Sequence, residues 1–229
     1  MKHFSILTFG IFIVLVSSFL GLILSSQNQI GNLLQSTESL ELNDSGEAVI
    51  IDGDPLYPQK YSGLDQQGHF EYIKLGCAQC HTQQIRRNAI SSDIERGLSS
   101  RISVPRDYIT QPTVLIGTTR IGPDLIDIGS RRSSRNWHYL HLYNPNITSP
   151  GSIMPSFPFL FDTIKLDDSG TPPNALMFPE EHINILQDNT AVIPSRRAEA
   201  LVEYLLNQKI DYDLPETALK ENETGKKEH

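Results

Sequence analysis

The chain has 229 residues, enough for one or two small domains, with 38% apolar and 20% charged residues. Its net charge of −8 argues against nucleic acid as a partner and suits a positively charged docking surface instead. With only two cysteines there is no disulfide framework to hold the fold together.

The N-terminus opens the chain in an unusual way. Phe4 to Leu24 is a run of 21 residues without a charge, and as a helix it spans about 31 Å against a bilayer core of ~30 Å. A cleaved signal peptide normally has a shorter apolar region and a small-x-small site. Leu22-Ile23-Leu24-Ser25-Ser26 offers a poor one, so the run is read as an uncleaved transmembrane anchor over residues 1–25. Lys2 precedes the run and the next basic residue is Lys60. The positive-inside rule therefore puts the N-terminus in the cytoplasm and the remainder outside it.

Residues 26–60 are rich in Ser, Asn, Gln and acidic residues and read as a juxtamembrane spacer with little structure of its own, closed by an Asp52-Gly53-Asp54-Pro55 turn. The globular domain is expected over 61–210. Leu64 to Leu75 has a helical pattern, with Leu64, Gly68 and Tyr72 on one stripe and Ile73 beside it. A glycine inside a helix costs up to about 1 kcal/mol against alanine, so Gly68 predicts close approach by another helix. The candidate partner runs from Arg196 to Asn207 behind a Ser195 cap, with Ala198, Leu201, Val202, Leu205 and Leu206 on its apolar face.

Directly after the first helix stands Cys77-Ala78-Gln79-Cys80-His81. Two thiols two residues apart with a histidine next is the attachment pattern of a c-type haem, whose vinyl groups the thiols would bond and whose iron His81 would face. A structural zinc needs two more ligands at metal spacing, and a thioredoxin-like pair needs a preceding strand that the pattern does not supply. Such haems are attached outside the cytoplasm, the side the flanking charges assign to the domain. An iron that carries electrons also needs a sixth ligand, and methionine there raises the potential. Met154 sits in the Gly/Pro-punctuated loop Pro150 to Pro155 and is the first choice, with Met177 as runner-up.

The stretch between the terminal helices is poor in periodicity. Arg86 to Ile109 reads as an exposed loop or short helix, Ser134 to Tyr143 as a helix stopped at Asn144-Pro145, and Phe159 to Pro194 as polar and loop-like. His138 and His141 lie three apart with no third ligand in view, so structural or propionate-contacting roles are expected rather than a metal pair. Trp137 could donate its indole N–H to a propionate or simply pack. Arg120 could balance a propionate or be solvated. Arg131, Arg132 and Arg135 form a basic cluster, read as a solvated face or a docking patch. Residues 211–229 are charged and read as a disordered tail.

Several of these segments together resemble the mono-haem subunit (CcoO, also called FixO) of cbb-type cytochrome c oxidases. They are Gly76 to Arg86, Arg120-Ile121-Gly122-Pro123-Asp124-Leu125, Asn136 to Pro145 with its Trp-His-x-x-His-Leu run, and Gly151 to Pro158 with Met154-Pro155. The resemblance implies a mainly α fold: one transmembrane helix plus a class I-like cytochrome c domain with long loops. It implies one covalent haem c on Cys77 and Cys80, with His81 and Met154 as axial ligands and the Pro123 carbonyl accepting the proximal imidazole N–H. It further implies an inner-membrane subunit that is not catalytic by itself. Such a subunit passes electrons to a haem–copper catalytic subunit, beside a further c-type cytochrome subunit and in reach of a soluble electron donor. The chain lacks the Arg-Pro-Phe and Arg-Tyr-Gly segments typical of the family after the haem motif, where it has Arg86 to Ala89 and Ser92 to Gly97. A span without histidine cannot hold a haem–copper site, so dioxygen chemistry belongs to a partner. Two rival readings are the mono-haem subunit of a nitric oxide reductase and a free-standing membrane-tethered haem sensor.

Overall fold

The structure is a computed structural model that describes residues 2–39, 41–44, 48–168 and 170–218. The chain forms two compact units, Met1–Gln35 and Ser36–His229. In the first, helix α1 (Lys2–Ser18) widens to a π-helical stretch at Phe19–Leu24 and runs on as α2 (Ser25–Ile30). Phe4–Ile30 is thus a continuous 27-residue helix, long and apolar enough to cross a membrane. All its side chains are exposed, which in water would be untenable for so many Phe, Ile and Leu residues and in lipid is the expected state.

The second unit opens with four short strands, β1 (Ser36–Thr37), β2 (Glu41–Leu42), β3 (Ala48–Val49) and β4 (Leu56–Tyr57), pairing antiparallel as β1–β4 and β2–β3. The stretch read as a spacer with little structure of its own thus carries two short strand pairs. Ser36 and Thr37 are buried, Thr37 Oγ1 donates within the turn system at 3.2 Å, and Tyr57 stacks on Tyr212 at 4.7 Å. Two-residue strands are too short for alternation to show in the sequence.

Helix α3 (Gly63–Lys74) crosses α7 (Arg196–Asn207). A Cβ on Gly68 would stand 1.9 Å from the Ala200 carbonyl oxygen, so the two backbones touch there and only glycine fits. Ser195 Oγ accepts from the Ala198 N–H at 3.4 Å, the expected cap. Ala198, Leu201, Val202 and Tyr204 are fully buried, and Tyr204 meets Tyr61 and Tyr72 ring to ring at 5.4 and 5.3 Å. The short α4 (Ile128–Arg131), α5 (Arg135–Tyr143) and α6 (Pro145–Thr148) close the same core.

Two loop expectations need correction. Residues 159–194 carry a five-residue hairpin, β5 (Phe161–Lys165) against β6 (Thr190–Pro194), with Leu160, Phe161, Leu176 and Val192 in the core. Polar residues on its outer face had masked the strands. At the C-terminus Ile210 and Leu214 are buried, α8 (Pro215–Ala218) follows, and Glu216 pairs with Arg106 at 2.9 Å. So 211–218 is docked, not a free tail, while the expectation for 219–229 falls outside the described residues. Ile85, Leu98, Ile126 and Ile210 make a second small core beneath the 86–109 region, whose one helical turn is Pro105–Tyr108.

Candidate haem site

The attachment turn is built by the end of α3. Gly76 takes a left-handed φ of 74° and turns the chain into a 3₁₀ turn at Cys77–Gln79. The Cys80 and His81 amides both donate to the Cys77 carbonyl, at 3.1 and 2.9 Å. The two thiols are half-buried and unpaired, and Cys77 packs against the main core. Burial pushes the Cys77 thiol up to about 11, so it is a neutral thiol at physiological pH.

A second segment, 117–125, is clipped onto this turn. Backbone amides of Thr118, Gly122 and Leu125 donate to the carbonyls of Ala78, Cys80 and Thr82 at 2.9–3.0 Å. Gly117, with φ of 87°, lets the clip approach, since a Cβ there would be 2.6 Å from Thr82 Cα. Gly122 lies flat on the imidazole of His81, where a Cβ would be 2.2 Å from Cε1. His81 Nδ1 stands 2.8 Å from the Pro123 carbonyl oxygen. A carbonyl can only accept, so Nδ1 carries the proton and Nε2 presents a lone pair. Burial lowers the His81 pKa, with the Pro123 bond opposing. The imidazole is therefore neutral, fixed in tautomer and in plane, which is what an axial ligand requires.

Asp124 was not singled out from the sequence beyond its place in Gly-Pro-Asp-Leu. Buried, it accepts from Thr82 Oγ1 at 2.5 Å and from the amides of Gln84 and Ile126 at 2.7 and 2.9 Å, so it ties the clip to the turn. The available signal was an Asp directly after Gly-Pro, a residue that bonds its own turn.

Met154 is carried by a loop that leaves α5 at Asn144 and returns beside it. The Asn144 side chain caps α6, Asn146 Oδ1 accepts from the Gly151 N–H at 3.0 Å, and the Phe157 N–H donates to the Leu142 carbonyl at 2.8 Å. Met154 is half-buried against the same core as Cys77, together with Leu115, Leu125 and Phe157. Met177 is 71% exposed and its backbone exchanges two 2.9 Å bonds with the Asn136 amide, so the runner-up is not brought to this core.

The remaining candidates are already engaged. Arg120 does not stand free to balance a propionate: its guanidinium bonds Asp93 and the Gln84 carbonyl and lies 3.5 Å from Asp124. Trp137 stacks on His141 with rings 4.8 Å apart and 9° from parallel, and the Arg132 guanidinium lies 5.4 Å from its centroid. His138 Nε2 bonds the Arg132 carbonyl at 2.7 Å. The basic cluster is dispersed, since Arg131 bonds the Asp124 carbonyl and Arg135 pairs with Glu203 at 2.5 Å. Among the described residues no group of three His, Cys, Asp or Glu side chains could hold a bare metal ion. A cleft of about 490 Å³, lined by Tyr57, Tyr61, Asp65 and Tyr212, involves none of the proposed ligands.

The donor set thus fits a porphyrin and not a bare ion: two free thiols on one turn and one oriented imidazole, with Cys77 and a thioether packed on the same apolar core. A family model for the mono-heme subunit/FixO of cytochrome c oxidase matches residues 54–219. The chain belongs to that family. It is a mono-haem subunit type of an oxidoreductase complex, and the match stands with the first of the three readings of the sequence. A comparison with curated proteins finds no match.

Proposed function

We propose that this chain is a membrane-anchored mono-haem c-type cytochrome that hands electrons to the catalytic haem–copper subunit of a cbb-type terminal oxidase. The observation that carries the reading is the clamp on His81: Gly122 against its face, Pro123 on Nδ1, and Nε2 left to bind iron. Haem c supplies one-electron ferric/ferrous exchange when bound. Cys77 and Cys80 would hold it through thioethers from one turn, and His81 and Met154 would be its iron ligands. The Pro123 bond to Nδ1 keeps the His81 ring from rotating and strengthens it as a donor. The apolar core behind Met154 excludes water and, with the thioether, favours a high potential. Phe4–Ile30 anchors the subunit in the inner membrane with its N-terminus cytoplasmic and the haem domain outside. There it would sit with the catalytic subunit and a further c-type cytochrome subunit, with a soluble electron donor possible.

The test is to solubilise the membranes, purify through this chain, and stain a denaturing gel for haem peroxidase activity. A haem-stained band at the size of this chain, with a haem–copper subunit co-purifying, is expected. The Cys80→Ala variant should lose the band's full intensity. Release of all pigment on denaturation, or purification without a copper-containing partner, would overturn the reading.

A further inference from the structure

His141 is not used by the function proposed above, yet it lies at the base of the loop that carries Met154. Thr148, on the outgoing limb, meets His141 Nδ1 at 2.6 Å, and Phe157, on the returning limb, bonds the carbonyl of the adjacent Leu142 at 2.8 Å. The Thr148 hydroxyl directs its one proton to the Pro145 carbonyl at 3.3 Å. It must therefore accept from His141, which places the proton on Nδ1 and a lone pair on Nε2. That Nε2 has no hydrogen-bond partner among the described residues, and it is not sealed from the surroundings either. The ring is held in plane by the near-parallel Trp137 stack. It stands at the foot of the loop whose Met154 packs on the same core as Cys77. His138 differs, because its Nε2 is spent on the Arg132 carbonyl. One histidine of the pair is closed within the chain, and the other presents an oriented lone pair.

We infer that His141 Nε2 is a reserve axial ligand, which takes the iron's sixth position when Met154 is removed or withdrawn. The inference rests on Met154 being the resident ligand. An imidazole is a sound haem ligand but a stronger donor to ferric iron than a thioether, so the exchange would lower the potential and keep the iron low-spin. The arrangement gives the subunit two closed states instead of one closed and one open to small molecules.

The test uses the purified complex carrying Met154→Ala, alone and with His141→Ala. For Met154→Ala the expected result is loss of the methionine–iron charge-transfer band and a ferric signal that stays low-spin. Its near-infrared band should stand at the position of paired imidazoles, and the ferrous haem of this subunit should resist CO. Adding His141→Ala should turn that haem high-spin and CO-reactive. If Met154→Ala alone is already high-spin and CO-reactive, Met154 remains the ligand and the reserve role of His141 is refuted. If Met154→Ala keeps the methionine–iron band, the Met154 assignment fails and the inference falls with it. Should the double variant not assemble, the near-infrared band of Met154→Ala decides, since only a nitrogen pair puts it at the paired-imidazole position.

Discussion

The α3–α7 crossing and the clip between residues 78–82 and 117–125 hold the two sides of the same site by different means. The helices meet by shape: backbone touches backbone at Gly68 and Ala200, around a core of Leu201, Val202 and Tyr204. The clip is held by directed bonds, three from backbone amides and more from Asp124 and Arg120, with glycine pressed on His81. Shape contacts fail abruptly when volume is added. Directed contacts fail singly, each at the cost of whatever polar group is left unpaired. The buried Gln83, which bonds Tyr204 at 2.9 Å from the start of the clip, joins the two systems.

The largest effect is expected where shape alone decides. Gly68→Ala adds one methyl inside α3 and by helix propensity alone should stabilise it by about 1 kcal/mol. The new Cβ would lie 1.9 Å from the Ala200 carbonyl oxygen and 2.6 Å from Tyr204 Cβ, and neither is the end of a flexible side chain. The helices must part, so a net loss of roughly 3 kcal/mol or more is expected. A thermal or denaturant unfolding curve measures it. A neutral or stabilised variant would show that the crossing is not shape-limited.

Arg120→Gln tests the directed side. Asp93 is 1% exposed, and burial would raise its carboxyl, but bonds from Arg120, Ser91 and the Arg86 amide bring it down to about 2. A folded value below the unfolded ~3.9 means stability that is present above pH 4 and lost as pH falls towards 2. Removing the arginine should cost about 2 kcal/mol at neutral pH, less than breaking a fully enclosed pair because Arg120 is partly exposed. It should also flatten the acid limb. Unfolding midpoints of both proteins between pH 2 and 6 check both parts, and parallel acid limbs would remove Arg120 as the cause.

How far each region was legible follows from what holds it. Periodicity exposed α3, α7 and α5, and Ser195 marked the cap of α7, because apolar packing writes itself at three- and four-residue spacing, and Gly68 stood out against that spacing. The attachment turn was legible because Cys77, Cys80 and His81 are chemically unusual neighbours. The Asp93–Arg120 pair, Asp124 as a tie and the bonding of His141 to Thr148 were not legible, since hydrogen bonds across 7 to 40 residues leave no local period. The β5–β6 hairpin was missed because its strands lie either side of 24 residues of polar connection that drown a five-residue alternation.

The smallest expected effect separates the two regions by sign. Asp65, in the first turn of α3, is pushed up to about 7, chiefly by burial and then by Glu203 of α7, with Asn207 opposing. Its folded value lies above the unfolded ~3.9, so its contribution is fully present below pH 4 and declines as pH rises through 7. That is the reverse of Asp93, and the two windows meet at pH 4 without overlapping. Asp65 is partly open to the 490 Å³ cleft, so screening reduces the effect to roughly 1 kcal/mol. Asp65→Asn keeps a similar shape, cannot ionise, and should abolish the decline between pH 4 and 8 while leaving the acid limb below pH 4 in place. Arg120→Gln should do the converse. Unfolding midpoints of the two variants across pH 2 to 8 would show each region titrating alone, and if either substitution altered both limbs, the helix crossing and the clip would be one cooperative unit coupled through Gln83 and Tyr204.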